Sequence, residues 1–102
     1  MKLVIITAIK QFEKDIKLQL KKADVKTFSF RDVTGYRDST EDALESNWFS
    51  SEMNQTESVL FYAVMKSDNI DLLFSLINDF NKSQKTLSNI HVAVVNIERS
   101  NS

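Results

Sequence analysis

The side chains able to do chemistry in this chain are few, and their scarcity bounds its function. It has one imidazole, His91, no cysteine and one glycine, Gly35. Thiolate zinc sites, cysteine nucleophiles and disulfides are therefore absent together. A metal ion would have to use His91 with oxygen donors, and Asp32 and Glu98 are the carboxylates that could serve. The alternatives are a structural imidazole with a hydrogen-bond partner on an apolar strand, and two surface carboxylates. No Gly-rich phosphate loop, HExxH or GxSxG is present, and no nucleophile and base stand at a recognisable spacing. The residues thus predict a protein that is not an enzyme and holds no cofactor. Recognition chemistry is better represented. Trp48 and Phe49 are adjacent in an otherwise polar stretch, and exposed aromatics of this kind anchor protein interfaces.

At 102 residues the chain fits a single domain spanning 1–102. A formal net charge of -1 gives no basic face with which to displace counterions from a nucleic acid. An RNA-binding sheet would also need charged neighbours beside Phe61 and Tyr62, where the sequence is almost uncharged. No run of eighteen apolar residues occurs, so no membrane insertion is expected, and Met1-Lys2 leads straight into a strand. The reading is a cytoplasmic protein.

The elements that must position these groups follow from periodicity. Leu3 to Ile9 is apolar at both parities and rich in β-branched residues, a central strand covered on both faces. Phe12, Ile16 and Leu20 then repeat every four residues with lysines elsewhere, an amphipathic helix of about three turns with Glu13 and Lys17 placed to pair. Val25 to Arg31 reads as the second strand, with a bulge or bend after Phe30 because the next hydrophobe, Val33, falls on the wrong parity. Gly35 ends that stretch, where a glycine is expected for positive φ or a close backbone approach. Arg37 to Thr56 has no sustained period. A loop of that length is either functional or a tether, and Ser39 to Asp42 could cap one short helix within it. Glu57 to Lys66 is again apolar at both parities, and Ser67 stands at the expected N-cap of a helix from Asn69 to about Asn81. Ile70, Leu73, Leu76, Ile77 and Phe80 form its buried stripe. Lys82 to Asn89 is a polar connection, and Ile90 to Ile97 is the last strand.

Strand, helix, strand, strand, helix, strand predicts an α+β, ferredoxin-like sandwich: a four-stranded antiparallel sheet with both helices on one face. Two helices cover one face only, yet three strands are apolar on both. The second face would be an unusually large apolar patch unless other copies of the chain bury it, so the pattern predicts a homo-oligomer. An aspartate at Phe61 or Val94 is expected to give aggregation or monomers, since an unpaired carboxylate on a buried sheet face costs several kcal/mol.

The element order resembles the PII signal-transduction superfamily over the whole chain. The most specific local match is Val33-Thr34-Gly35-Tyr36-Arg37, similar to the Val-x-Gly-aromatic-Gly-Arg stretch that ends that family's second strand ahead of its T-loop, here without the second glycine. Residues 37–56 would be the T-loop, without the tyrosine motif that is uridylylated in true PII proteins. Ser83 to Ser88 stands where the family has a glycine-rich, phosphate-wrapping loop, so nucleotide binding of that type is not expected. The chain is more similar to divergent PII-like bacterial proteins with a short T-loop, in its Phe28-x-Phe30-x-x-Val33-x-Gly35 strand and its Ile90-His91 start to the last strand. That subgroup is associated with heavy-metal efflux systems. The resemblance implies a homotrimeric regulator whose partner is a membrane transport component, met through Tyr36, Arg37, Trp48 and Phe49. It also implies an alternative, a sensor with an intersubunit anion cleft drawing on Arg31, Gly35, Arg37, Lys85 and Arg99. Three copies of His91 around the trimer axis could then supply a metal site that no single chain encodes.

Overall fold

The apolar run near the N-terminus forms β1 (Lys2–Ile9) in a computed structural model that describes residues 1–36 and 55–101. Beside it lie β3 (Gln55–Met65) and β4 (His91–Asn96), and β2 (Ser29–Tyr36) completes the sheet in the order β2-β3-β1-β4. Every neighbouring pair is antiparallel. The crossovers are α1 (Glu13–Lys22), entered through a 3₁₀ turn at Lys10–Phe12, and α2 (Ile70–Ser83), entered through another at Ser67–Asn69. This is the α+β ferredoxin-like arrangement that the alternation of periods predicts.

The core lies between the sheet and the helices. Val4, Ile6 and Ala8 of β1 and Val59, Phe61, Ala63 and Met65 of β3 turn inward against Phe12, Ile16, Leu20, Leu73 and Ile77. Phe12 meets Phe80 edge to face at 5.1 Å, which ties the start of α1 to the end of α2. The Glu13–Lys17 pair forms at 3.6 Å on the outer side of α1.

Three local expectations are corrected. The second strand does not begin at Val25: it starts at Ser29 and pairs with β3 without interruption from Ser29↔Tyr62 to Tyr36↔Gln55, so there is no bulge. The alternation holds while the polarity breaks. Phe30 turns to the helix face and stacks on Phe61 at 5.0 Å, Asp32 follows two residues later on that face, where Lys10 meets its carboxylate at 2.5 Å, and Val33 takes the other side. Gly35 supplies no positive φ; it is a buried strand residue opposite Thr56. The one positive φ among the described residues is at Asp24, 62°. Ser67 is not a side-chain N-cap. Its carbonyl accepts the Ile70 N–H in the 3₁₀ turn, and neither cap position there makes a side-chain cap bond.

Asp24 closes α1. The Asp24 N–H donates to the Lys21 carbonyl at 3.0 Å and the Val25 N–H to the Leu20 carbonyl at 2.9 Å, the paired bonds of a Schellman motif with an aspartate in the left-handed position usually held by glycine. Buried Val25 and Leu20 supply its hydrophobic contact.

Candidate functional site

The second face of the sheet has no cover among the described residues. In register across it run Val64, Leu3 and Val95, then Tyr62, Ile5 and Ala93, then Leu60, Thr7 and His91. Tyr62, Val64 and Val95 are 47%, 48% and 47% exposed, while Leu3, Ile5, Thr7 and Leu60 are half-buried by their neighbours. The strands apolar at both parities therefore have one face in the core and one face open. Phe61 and Val94 belong to the covered side: Phe61 is 1% exposed and Val94 packs on the core, so neither probes the open face.

His91, the first residue of β4, is exposed on the open face directly opposite Thr7. Among the described residues no three His, Asp or Glu side chains are grouped to hold a metal ion. Asp32 is engaged with Lys10 on the helix face, across the sheet from His91. Glu98 lies beyond the far end of β4. Among the described residues, one subunit thus offers His91 alone.

The ends of β1, β2 and β4 sort the other candidates. β2 ends at Gly35 and Tyr36 at the same end of the sheet at which β4 begins, near His91 and Lys85. β2 and β4 are opposite edges, however, about 14 Å apart at three strand spacings. Arg99 follows the other end of β4, so a strand of roughly 17 Å separates it from Lys85. Within one chain the cations Lys85 and Arg99 are not brought together. Arg31 sits on the open-face parity opposite Leu60. Tyr36 is 64% exposed beside Gln55, which places the two ends of segment 37–54 at adjacent positions. Arg37, Trp48 and Phe49 lie outside the described residues.

At the same end, a recess of about 510 Å³ is lined by Lys10, Arg31, Asp32, Val33, Thr34, Glu57 and Ser58. The hydrogen bond from Lys10 to Asp32 raises the lysine pKa above its ordinary 10.5, the charges of Asp32, Glu13 and Glu57 adding to it against some desolvation. The sequence leaves this cross-sheet pair unread, since thirty-two minus ten residues of chain say nothing of which strand ends meet.

The connection between α2 and β4 is built by two carboxamides, a role the sequence reading did not assign. Gln84 Nε2 donates to the carbonyls of Thr86 and Ser88 at 2.9 and 2.7 Å, and Gln84 Oε1 accepts from the Thr86 N–H at 2.6 Å. Asn81 Nδ2 donates to the Ile90 carbonyl at 2.9 Å, and the Ile90 N–H donates to Asn81 Oδ1 at 2.8 Å. These side chains satisfy the loop from inside. The signal available was the local one, amide side chains flanking a polar turn.

The comparisons with known proteins bear on this arrangement. No family model matches the chain, and no curated protein matches it. A solved structure does: a nitrogen regulatory PII-like protein, CPII, from Thiomonas intermedia K12, bound to ADP, AMP and bicarbonate, superposes with a TM-score of 0.62 over 97% of this chain and 93% of that one. The fold is PII-like. At 12% identity the likeness concerns the path of the backbone. In this PII-like fold the four-stranded antiparallel sheet has both helices on one face, as the element order predicts. No helix among the described residues is long and apolar enough to cross a membrane.

Proposed function

We propose that the chain is a non-enzymatic, PII-like regulatory protein, assembled as a homotrimer through its open sheet face. The observation that carries this reading is the exposed apolar row of Tyr62, Val64 and Val95 on a fold shared with a nitrogen regulatory PII-like protein. Burying such side chains between copies removes roughly 25 cal/mol per Å² of apolar surface exposure. Residues 37–56 follow Tyr36 at the end of β2, which pairs with Gln55 at the start of β3. With Tyr36, Arg37, Trp48 and Phe49, they form the partner-docking segment, and a membrane transport component, a heavy-metal efflux system in particular, is the partner. The protein acts in the cytoplasm and binds no nucleic acid.

Trp48 is the only indole, so its fluorescence reports on that segment. Docking predicts a spectral change and capture of the efflux component that both disappear in a Trp48→Ala, Phe49→Ala double variant. A double variant that binds as the parent does would defeat it.

A second reading is favoured by the place of His91 on the open face, the face that copies would share. Here a metal ion binds between copies of His91, or a small anion binds in the intersubunit cleft with Gly35, Arg37, Lys85 and Arg99. A Trp48 response to zinc or copper that is lost in His91→Ala, or to an anion that is lost in Arg37→Ala, would select it. ATP or ADP binding in the PII manner is not expected, because Ser83 to Ser88 holds no glycine to let backbone N–H groups close around a phosphate. Micromolar nucleotide affinity by calorimetry would overturn that exclusion.

A further inference from the structure

At the exit of α1, at the end of the sheet away from His91 and Tyr36, a recess of about 550 Å³ is lined by Lys17, Lys21, Asp24, Val25, Lys26 and Phe28. Its volume falls within the range of small-molecule sites, about 300–1,000 Å³. The floor is apolar. Val25 is buried, and the Phe28 ring leans on Phe61 at 5.6 Å and on Phe30 at 6.3 Å, so the aromatic surface is backed by the core. The rim is cationic. Lys17 is held in place, its Nζ 4.2 Å over the Phe30 ring and 3.6 Å from Glu13. Lys21 and Lys26 meet no carboxylate among the described residues, and Asp24, although it lines the same recess, pairs with neither. The Schellman bonds at Asp24 and Val25 fix the backbone between rim and floor.

We propose that this recess binds a small organic anion with an apolar body, an aromatic or branched-chain carboxylate in class. An inorganic anion would neutralise the lysines and leave the Val25 and Phe28 surface in water. A neutral aromatic would cover that surface and gain nothing from the two solvated ammonium groups on the rim. An amphipathic carboxylate does both at once, and the fixed backbone spares it an ordering cost. The recess lies at the opposite end of the sheet from Tyr36 and Gln55, and its Phe28 floor packs on the covered face rather than the open one.

The test is an amide-resolved NMR titration of the full, ¹⁵N-labelled chain with indole-3-acetate, alongside indole-3-acetamide and acetate. The acid is expected to shift the amides of residues 21–28 and to saturate with a Kd on the order of 1 mM. The acetamide and acetate are each expected to bind about tenfold more weakly, and so is the acid to a Lys21→Gln, Lys26→Gln variant, whose exposed substitutions leave the spectrum otherwise intact. Raised salt should weaken the acid and acetate but not the acetamide. Equal binding of the acetamide, shifts centred on Tyr62, Val64 and Val95, or no saturation at about ten times that concentration would overturn the proposal. An acidic peptide that shifts residues 21–28 when indole-3-acetate does not would overturn it too, in favour of a protein partner.

Discussion

At the scale of single residues, the least comfortable position is Asp24. An L-residue with φ 62° sits where glycine is unstrained, and its carboxylate stands at the negative end of the α1 dipole. Asp24→Asn is expected to stabilise by about 0.3–1 kcal/mol through the charge alone. Asp24→Gly should gain about 1 kcal/mol, the relief of strain being partly offset by unfolded-state entropy. Denaturant melts of both variants check the order. Lys10 presents the opposite case, a favourable pair. Its folded pKa is raised, so its contribution is complete below the ordinary value of 10.5 and is lost as pH climbs through the higher folded value. Following Lys10 Cε by NMR should show it titrating above 10.5, and at lower pH in Asp32→Asn.

Between elements, the contacts of few atoms decide large effects. Asn81 joins the last turn of α2 to buried Ile90, using both its donor and its acceptor. Asn81→Ala leaves two part-buried backbone groups without their partner and is expected to cost about 1–3 kcal/mol, read from the shift in denaturant midpoint at constant slope. Phe12 and Phe80, by contrast, hold helix to helix through apolar contact, and Ile16 and Leu73 beneath them are fully buried. Ile16→Ala should cost about 2–5 kcal/mol. Gln84 performs for its loop what backbone freedom does elsewhere: with no glycine between α2 and β4, a side chain replaces the missing turn geometry.

At the scale of the whole molecule, the two faces of the sheet behave as different solvents. A charge at Phe61 tests the core, because that ring is enclosed by the helices, whereas a charge at Val64 or Val95 tests assembly. Val64→Asp with Val95→Asp is expected to yield a monomer by light scattering with its far-ultraviolet circular dichroism retained. A parent protein of one-chain mass at micromolar concentration would rule out the homotrimer. Phe61→Asp is expected to unfold the subunit itself, since it buries a carboxylate without a partner.

Hydrophobic periodicity by itself determined the order and type of the elements, the Phe12, Ile16 and Leu20 stripe, and the surplus of apolar strand surface, because each depends on residues within a few positions of one another. Composition likewise removed cysteine chemistry and glycine-rich phosphate loops. What it could not reach was anything decided across the fold. That Phe30 and Asp32 take the helix face depends on the register that sets them opposite Phe61 and Val59. That Gly35 is an ordinary strand residue, while Asp24 takes the left-handed turn, depends on where the sheet needs α1 to stop. Lys85 and Arg99, which the resemblance groups in one intersubunit cleft, stand at opposite ends of β4 within a chain. Side-chain partners separated in sequence are chosen by strand register, and register is fixed only when the whole sheet is closed against its helices.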